Sequence, residues 1–164
     1  MKTLLLVRHA QAGHHDPTLL DRDRPLDDLG RRDAPRMGEL LTTRDVRPEL
    51  MMSSPALRAL TTAQILAEEL GHDSNAIVVD ERLYASSLGE LITVIRELDN
   101  SLQCVMLVGH NPEFTDLARY FSSEIVDMPT SAIAEFSFHT TVWSDVGRVE
   151  PVRASLDHPR KSPK

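Results

Sequence analysis

Thr3–Val7 is a continuous apolar run, the pattern of a central parallel strand covered on both faces. A long polar connection over residues 10–30 follows, containing HHDP and DRDRPLDDLG, with Asp27 placed to cap a helix. The spacing predicts that helix over 28–43, with Pro35 kinking or shortening it. Leu50–Ser53 reads as a second short strand, and Ser54-Pro55 then opens a helix that Gly71 stops. Ala76–Val79 is a third strand, and Leu88, Leu91, Ile92, Ile95 and Leu98 mark one face of the next helix. Cys104–Val108 is a fourth apolar strand, followed by Gly109-His110-Asn111-Pro112 and a helix to Phe121. Ala132–Phe138 and Val146–Val152 read as two strands around a turn at Ser144–Gly147. Strands alternating with helices predict a three-layer α/β/α sandwich with a mostly parallel central sheet. One domain is expected over 1–153, with 154–164, polar and proline-bearing, as a disordered tail.

At 164 residues the chain has room for one such domain with a core of its own. A net charge of −7 argues against a nucleic-acid surface, which needs clustered Lys and Arg. The apolar stretches are too short for a membrane span. The run of about five residues at the N-terminus, ended by Arg8 and His9, is too short for a signal peptide, so a cytoplasmic location is expected. The single cysteine, Cys104, excludes a disulfide framework and reads as an inert core residue.

In sheets of this kind ligands collect beyond the carboxyl ends of the strands. Arg8-His9, Arg58 and His110 all fall there. Taken singly, each has a plainer reading. Arg58 sits in the first turn of its helix, where the macrodipole disfavours a cation, and alone it is more often an arginine turned out to water. His9 and His110 each read, taken alone, more commonly as satisfied core histidines. An anion at the helix N-terminus would reverse the sign for Arg58, and Gly109 permits close backbone approach to a ligand. Together the four suit a phosphoryl group. The arginines neutralise its oxygens, a neutral imidazole attacks phosphorus, and the nearby positive charge keeps that imidazole unprotonated. His14, His15, Asp16, Asp21 and Asp23 read as a solvated loop or substrate rim, because adjacent residues rarely ligate one ion, and no metal or cofactor is expected. A cysteine phosphatase needs an arginine six positions after its cysteine, and position 110 is histidine. Walker-type, nucleophile-elbow and HExxH patterns are absent from the sequence, and His72, His139 and His158 have no identifiable partners.

These segments carry a resemblance. LVRHA at 6–10 resembles the Arg-His motif of the histidine phosphatase superfamily, the phosphoglycerate mutase-like fold. SSPALRALTTA at 53–63 is similar to its second-arginine segment and LVGHNPEF at 107–114 to its second-histidine segment, in the same order along nearly the whole chain. Within the superfamily the short length, DRPLDDLG at 23–30 and TSAIAEF at 130–136 resemble the SixA-type phosphohistidine phosphatases. The resemblance implies that His9 is the nucleophile that becomes phosphorylated and that Arg8, Arg58 and His110 complete the phosphate pocket. Ala10 stands where the usual motif has glycine, as in the SixA-type branch. DERLYASSLGEL at 80–91 resembles in part the acid-bearing segment of the mutases, which makes Glu81 the candidate general acid and Glu90 the next; a solvated carboxylate is an equal alternative. The implied activity is a metal-independent phosphatase working through phospho-His9, most directly on phosphohistidine in a signalling protein. The alternatives are a small-molecule phosphomonoesterase or mutase, which would need Glu81, and a non-catalytic phosphate-binding module. The expected partner is accordingly a phosphohistidine-containing protein or a small phosphorylated substrate, and neither nucleic acid nor membrane.

Overall fold

β1 (Lys2–Arg8) sends successive side chains to opposite faces: Leu4 and Leu6 join one apolar cluster, Leu5 and Val7 another. β4 (Cys104–Gly109) divides in the same way, Val105 and Leu107 against Met106 and Val108. Strands that are apolar on both faces belong in the middle of a sheet, with helices covering each side. The computed structural model, which describes residues 1–13 and 16–160, has this arrangement. Its sheet runs β3-β2-β4-β1-β5-β6, with β2 at Leu50–Ser53, β3 at Val78–Val79, β5 at Ile133–Phe138 and β6 at Arg153–Asp157. The first four strands are mutually parallel, and β5 runs antiparallel to both β1 and β6. α1 (Asp28–Thr43) and α2 (Leu57–Leu70) cover one face through Met37, Leu41, Ala59, Ala63 and Leu66. α3 (Leu88–Arg96) and α4 (Glu113–Phe121) cover the other through Leu91, Ile95, Phe114, Leu117 and Phe121. The fold is the three-layer sandwich with a mostly parallel sheet. Among the described residues, no helix is long and apolar enough to cross a membrane.

Local chemistry sets the helix ends. Asp27 caps α1 by accepting a hydrogen bond from the Gly30 N–H. Pro35 lies inside α1 without shortening it, since burial of Ala34, Met37 and Leu41 on the same helix offsets the one lost N–H. α2 begins two residues after Pro55, where Ser54 Oγ accepts from the Ala56 N–H, and ends at Gly71 with φ 69°, a left-handed conformation that favours glycine.

Two expectations are corrected. The third strand is only Val78–Val79, because Ser74–Ala76 forms a 3-10 turn capped by Asp73. The last strand is not Val146–Val152. Trp143–Asp145 is a 3-10 turn, and the strand falls at Arg153–Asp157, placing 154–157 in the sheet rather than in a tail. Pro151 has no N–H to give a ladder, whereas Leu156 and Ala154 register opposite Ala134 and Phe136. Beyond the strand, Arg160 Nη1 donates to Asp33 Oδ2 at 3.0 Å.

Candidate active site

Sheet register assembles the site. Arg8 pairs with Gly109 and Ser53 with Val108, so the three chain segments leaving β1, β4 and β2 emerge side by side. Two bonds extend the ladder past the strands: the His9 N–H donates to the Gly109 carbonyl and the Ser54 N–H to the Val108 carbonyl, both at 3.0 Å. Arg58 enters from the first turn of α2, tied to the β1 exit through Thr62, whose Oγ1 accepts from the Ala10 N–H and donates to the Arg58 carbonyl. Arg8, His9, Arg58 and His110 therefore meet at the carboxyl edge of the parallel strands, as the motif order predicts.

The two imidazoles lie 5.1 Å apart between ring centroids and are both buried. His9 Nδ1–H donates to the Ala10 carbonyl at 2.6 Å, which leaves the lone pair on Nε2. Burial, then the positive charges of Arg58, Arg8 and Arg24, push the His9 pKa down to about 4 against the bond to Ala10, so the ring is neutral at pH 7. His110 is pushed down to about 3, again chiefly by burial, then by His9 and Arg58. Its Nε2 lies 2.7 Å from Ser54 Oγ, while its Nδ1 is buried without a hydrogen-bond partner among the described residues.

Arg8 Nη1 donates to the Met128 carbonyl at 3.0 Å, and that carbonyl also accepts from Asn111 Nδ2. Burial pulls the Arg8 pKa below its ordinary value, with Asp127 opposing. Arg58 donates to Asp21 from both Nη atoms. Among the described residues, seven buried side-chain nitrogen or oxygen atoms have no hydrogen-bond partner, and four of them are Arg8 Nε, Arg24 Nε, Arg58 Nε and His110 Nδ1. Buried polar nitrogens without a hydrogen-bond partner are costly, and three arginine N–H groups among them suit an acceptor-rich ligand. A phosphoryl group supplies three acceptor oxygens and the matching negative charge.

Sequence reasoning misses several neighbours. Arg24 adds positive charge at His9, Ser54 touches His110, and Tyr84 sets its ring edge-on to His110 at 5.4 Å between centroids. Asp21 and Arg24 sit in the polar connection and Tyr84 in the acid-bearing segment, so the quoted motifs contain them without assigning them a contact. The acid candidates are placed differently from the pocket. Glu81 is 72% exposed on its side chain, and its Oε2 accepts from Arg22 at 2.8 Å; Glu90 lies exposed in the first turn of α3. His14 and His15 of the metal reading lie outside the described residues, and the described ones contain no group of three or more metal-ligating side chains. Burial first, then Glu135 and Glu49, push the Cys104 thiol up to about 12, which leaves it unreactive.

Known proteins show the same architecture. A protein assigned as the phosphohistidine phosphatase SixA of Agrobacterium tumefaciens superposes with a TM-score of 0.79 at 27% identity, covering 94% of this chain and 97% of that one. The protein histidine phosphatase SixA complexed with tungstate gives 0.82 at 22% identity over 96% and 97%, a likeness of fold. An uncharacterised protein of Mycobacterium tuberculosis is 32% identical over 129 residues, 79% of this chain and 77% of its own length. The family model of the histidine phosphatase superfamily (branch 1) matches residues 4–101, a span that holds Arg8, His9 and Arg58 and stops before His110. A match over more than half the length, through the strands and helices that carry the first three pocket residues, makes the chain a member of branch 1 of the histidine phosphatase superfamily.

Proposed function

We propose that this protein is a phosphatase that removes phosphoryl groups from phosphohistidine on a protein, through a phosphoenzyme on His9. The observation that carries the reading is the group of buried nitrogens without a hydrogen-bond partner among the described residues, Arg8 Nε, Arg24 Nε, Arg58 Nε and His110 Nδ1, around a neutral histidine whose Nδ1–H is already committed. In the first step the Nε2 lone pair of His9 bonds to phosphorus as the P–N bond to the substrate imidazole breaks. The electron pair stays on the leaving nitrogen, which takes a proton from solvent. In the second step a water oxygen attacks phosphorus and the Nε2–P bond returns its pair to His9. Orthophosphate leaves and a water proton passes to solvent. Arg8, Arg58, Arg24 and His110 hold the phosphoryl oxygens through both steps.

Phosphohistidine is favoured over an alkyl phosphate by the position of Glu81. A leaving imidazole nitrogen accepts a proton readily, whereas an alkoxide needs a positioned acid, and Glu81 is turned to solvent in an ion pair with Arg22. Similarity to the Agrobacterium protein supports the same substrate class. The test is phosphate release from a phosphohistidine protein and from phenyl phosphate, for wild type and His9→Ala. Release from the phosphohistidine protein that disappears in His9→Ala is expected. Preference for the phenyl ester would instead make the chain a small-molecule phosphatase, and release from neither would leave a phosphate-binding module.

A further inference from the structure

Among the described residues, Arg58 is gripped by one end. Its Nη1 donates to the Asp21 carbonyl at 2.7 Å and its Nη2 to Asp21 Oδ2 at 3.0 Å, so a single residue takes the tip of the guanidinium with backbone and side chain together. Nε, on the side of the group, is buried and has no hydrogen-bond partner among the described residues. A guanidinium carries five N–H donors, and Nε with the remaining hydrogen of Nη2 forms a side-on fork suited to two phosphoryl oxygens. We propose that Asp21 is the positioning residue for Arg58, holding the guanidinium by its tip so that the Nε edge faces the phosphoryl group. The inference rests on the phosphoryl-binding role of Arg58 proposed above.

Asp21 is itself fixed from two further directions. The Tyr84 hydroxyl donates to the same Oδ2 at 2.6 Å, and Arg24 Nε lies 3.6 Å from Oδ1. Tyr84 is in turn covered by Arg22, 5.2 Å from the ring centroid, and Arg22 pairs with Glu81. The turn at Asp21–Asp23 is thereby clasped to the segment 81–84, and one carboxylate gathers Arg58, Arg24 and Tyr84. The Tyr84 hydroxyl and then Arg58 hold the Asp21 carboxyl below its usual range, against partial desolvation, which favours the carboxylate form that both partners bond. A carboxylate beside a phosphate-binding arginine can also act as a competitor for it. The bonding pattern separates the two roles: a competitor would occupy the Nε edge, and Asp21 occupies the tip.

The experiment measures the affinity for tungstate, a phosphate-shaped oxyanion, alongside kcat and KM on the phosphohistidine protein. Asp21→Asn keeps the shape and removes the charge. Tungstate affinity and kcat/KM are both expected to fall about tenfold, the loss of charge-assisted bonds that fix one donor group. Tyr84→Phe, which unties Asp21 without touching Arg58, is expected to give a smaller loss in the same direction, and it serves if Asp21→Asn folds poorly. In an Arg58→Ala background Asp21→Asn is expected to cost clearly less than in wild type, leaving only what Asp21 fixes through Arg24. Tighter tungstate binding by Asp21→Asn, or an equal loss with and without Arg58, overturns the inference. Tungstate binding is read without turnover. A wild type that binds tungstate through Asp21 and Arg58 yet releases no phosphate from phosphohistidine refutes the function and keeps the positioning role, and a wild type that binds no tungstate refutes both.

Discussion

Acid is expected to unfold this protein through its own site. His9 and His110 are neutral in the fold because their pKa values stand at about 4 and about 3, against an ordinary 6.5 that they regain on unfolding. A group whose folded pKa is depressed binds its proton only in the unfolded chain between the two values. Its contribution is therefore complete above about pH 6.5 and is lost as the pH falls toward 4. At pH 5 each imidazole withdraws about 2 kcal/mol, the linkage integral over roughly 1.5 pH units, and the pair withdraws about 4 kcal/mol. That is a large share of a typical total stability of about 5–15 kcal/mol.

Urea unfolding of wild type and His110→Asn at pH 7.5 and pH 5.0 measures this. The difference between the two proteins cancels the carboxylates and the remaining histidines, so only the imidazole at 110 is read. Wild type is expected to lose about 2 kcal/mol more than the variant between the two pH values. If the site binds oxyanions as proposed, tungstate is expected to work in the opposite direction, because an oxyanion beside the imidazoles favours the imidazolium form and narrows the wild-type loss. Equal losses in the two proteins would refute the reasoning, since they would mean that His110 titrates alike folded and unfolded.

Three further outcomes follow from named contacts. Glu81→Gln is expected to leave phosphohistidine hydrolysis within about twofold and stability within about 1 kcal/mol, because Glu81 makes an exposed ion pair with Arg22; a loss of about a hundredfold in turnover would restore it as general acid. Asp27→Ala, which removes the cap on Gly30 and an acceptor for Gln11 Nε2, is expected to cost about 1–2 kcal/mol in urea unfolding. Arg160→Ala strips the partner from Asp33, whose side chain is 2% exposed, at an expected cost of about 1–3 kcal/mol; unchanged stability would mean that the segment after β6 contributes nothing.

The pocket was legible where sheet register does the assembling. Residues following paired strand ends are neighbours whatever the loops do, and Arg8 against Gly109 is such a pair. Asp21 and Tyr84 were not legible, because they meet across 63 positions from two turns that no hydrophobic period relates. β6 escaped for a different reason: Arg153, Ala154 and Ser155 are exposed on an edge strand, so its apolar signal is weaker than that of the loop before it. Gly109 shows how a residue noticed for one cause can have a second. Beside His110 it suggests close approach of a ligand, yet a Cβ there would stand 2.5 Å from Cε1 and Cζ of Phe114, a fully buried ring of α4. Packing of α4 against the end of β4 is thus reason enough for the absence of a side chain. Gly109→Ala is expected to cost about 1–3 kcal/mol by overpacking, and Phe114→Leu in the same chain to recover part of it by making room. Urea unfolding and tungstate affinity, measured together, separate the two causes. A displaced unfolding midpoint that Phe114→Leu partly restores supports the packing account, whereas an unchanged midpoint with weakened tungstate binding would return Gly109 to the ligand.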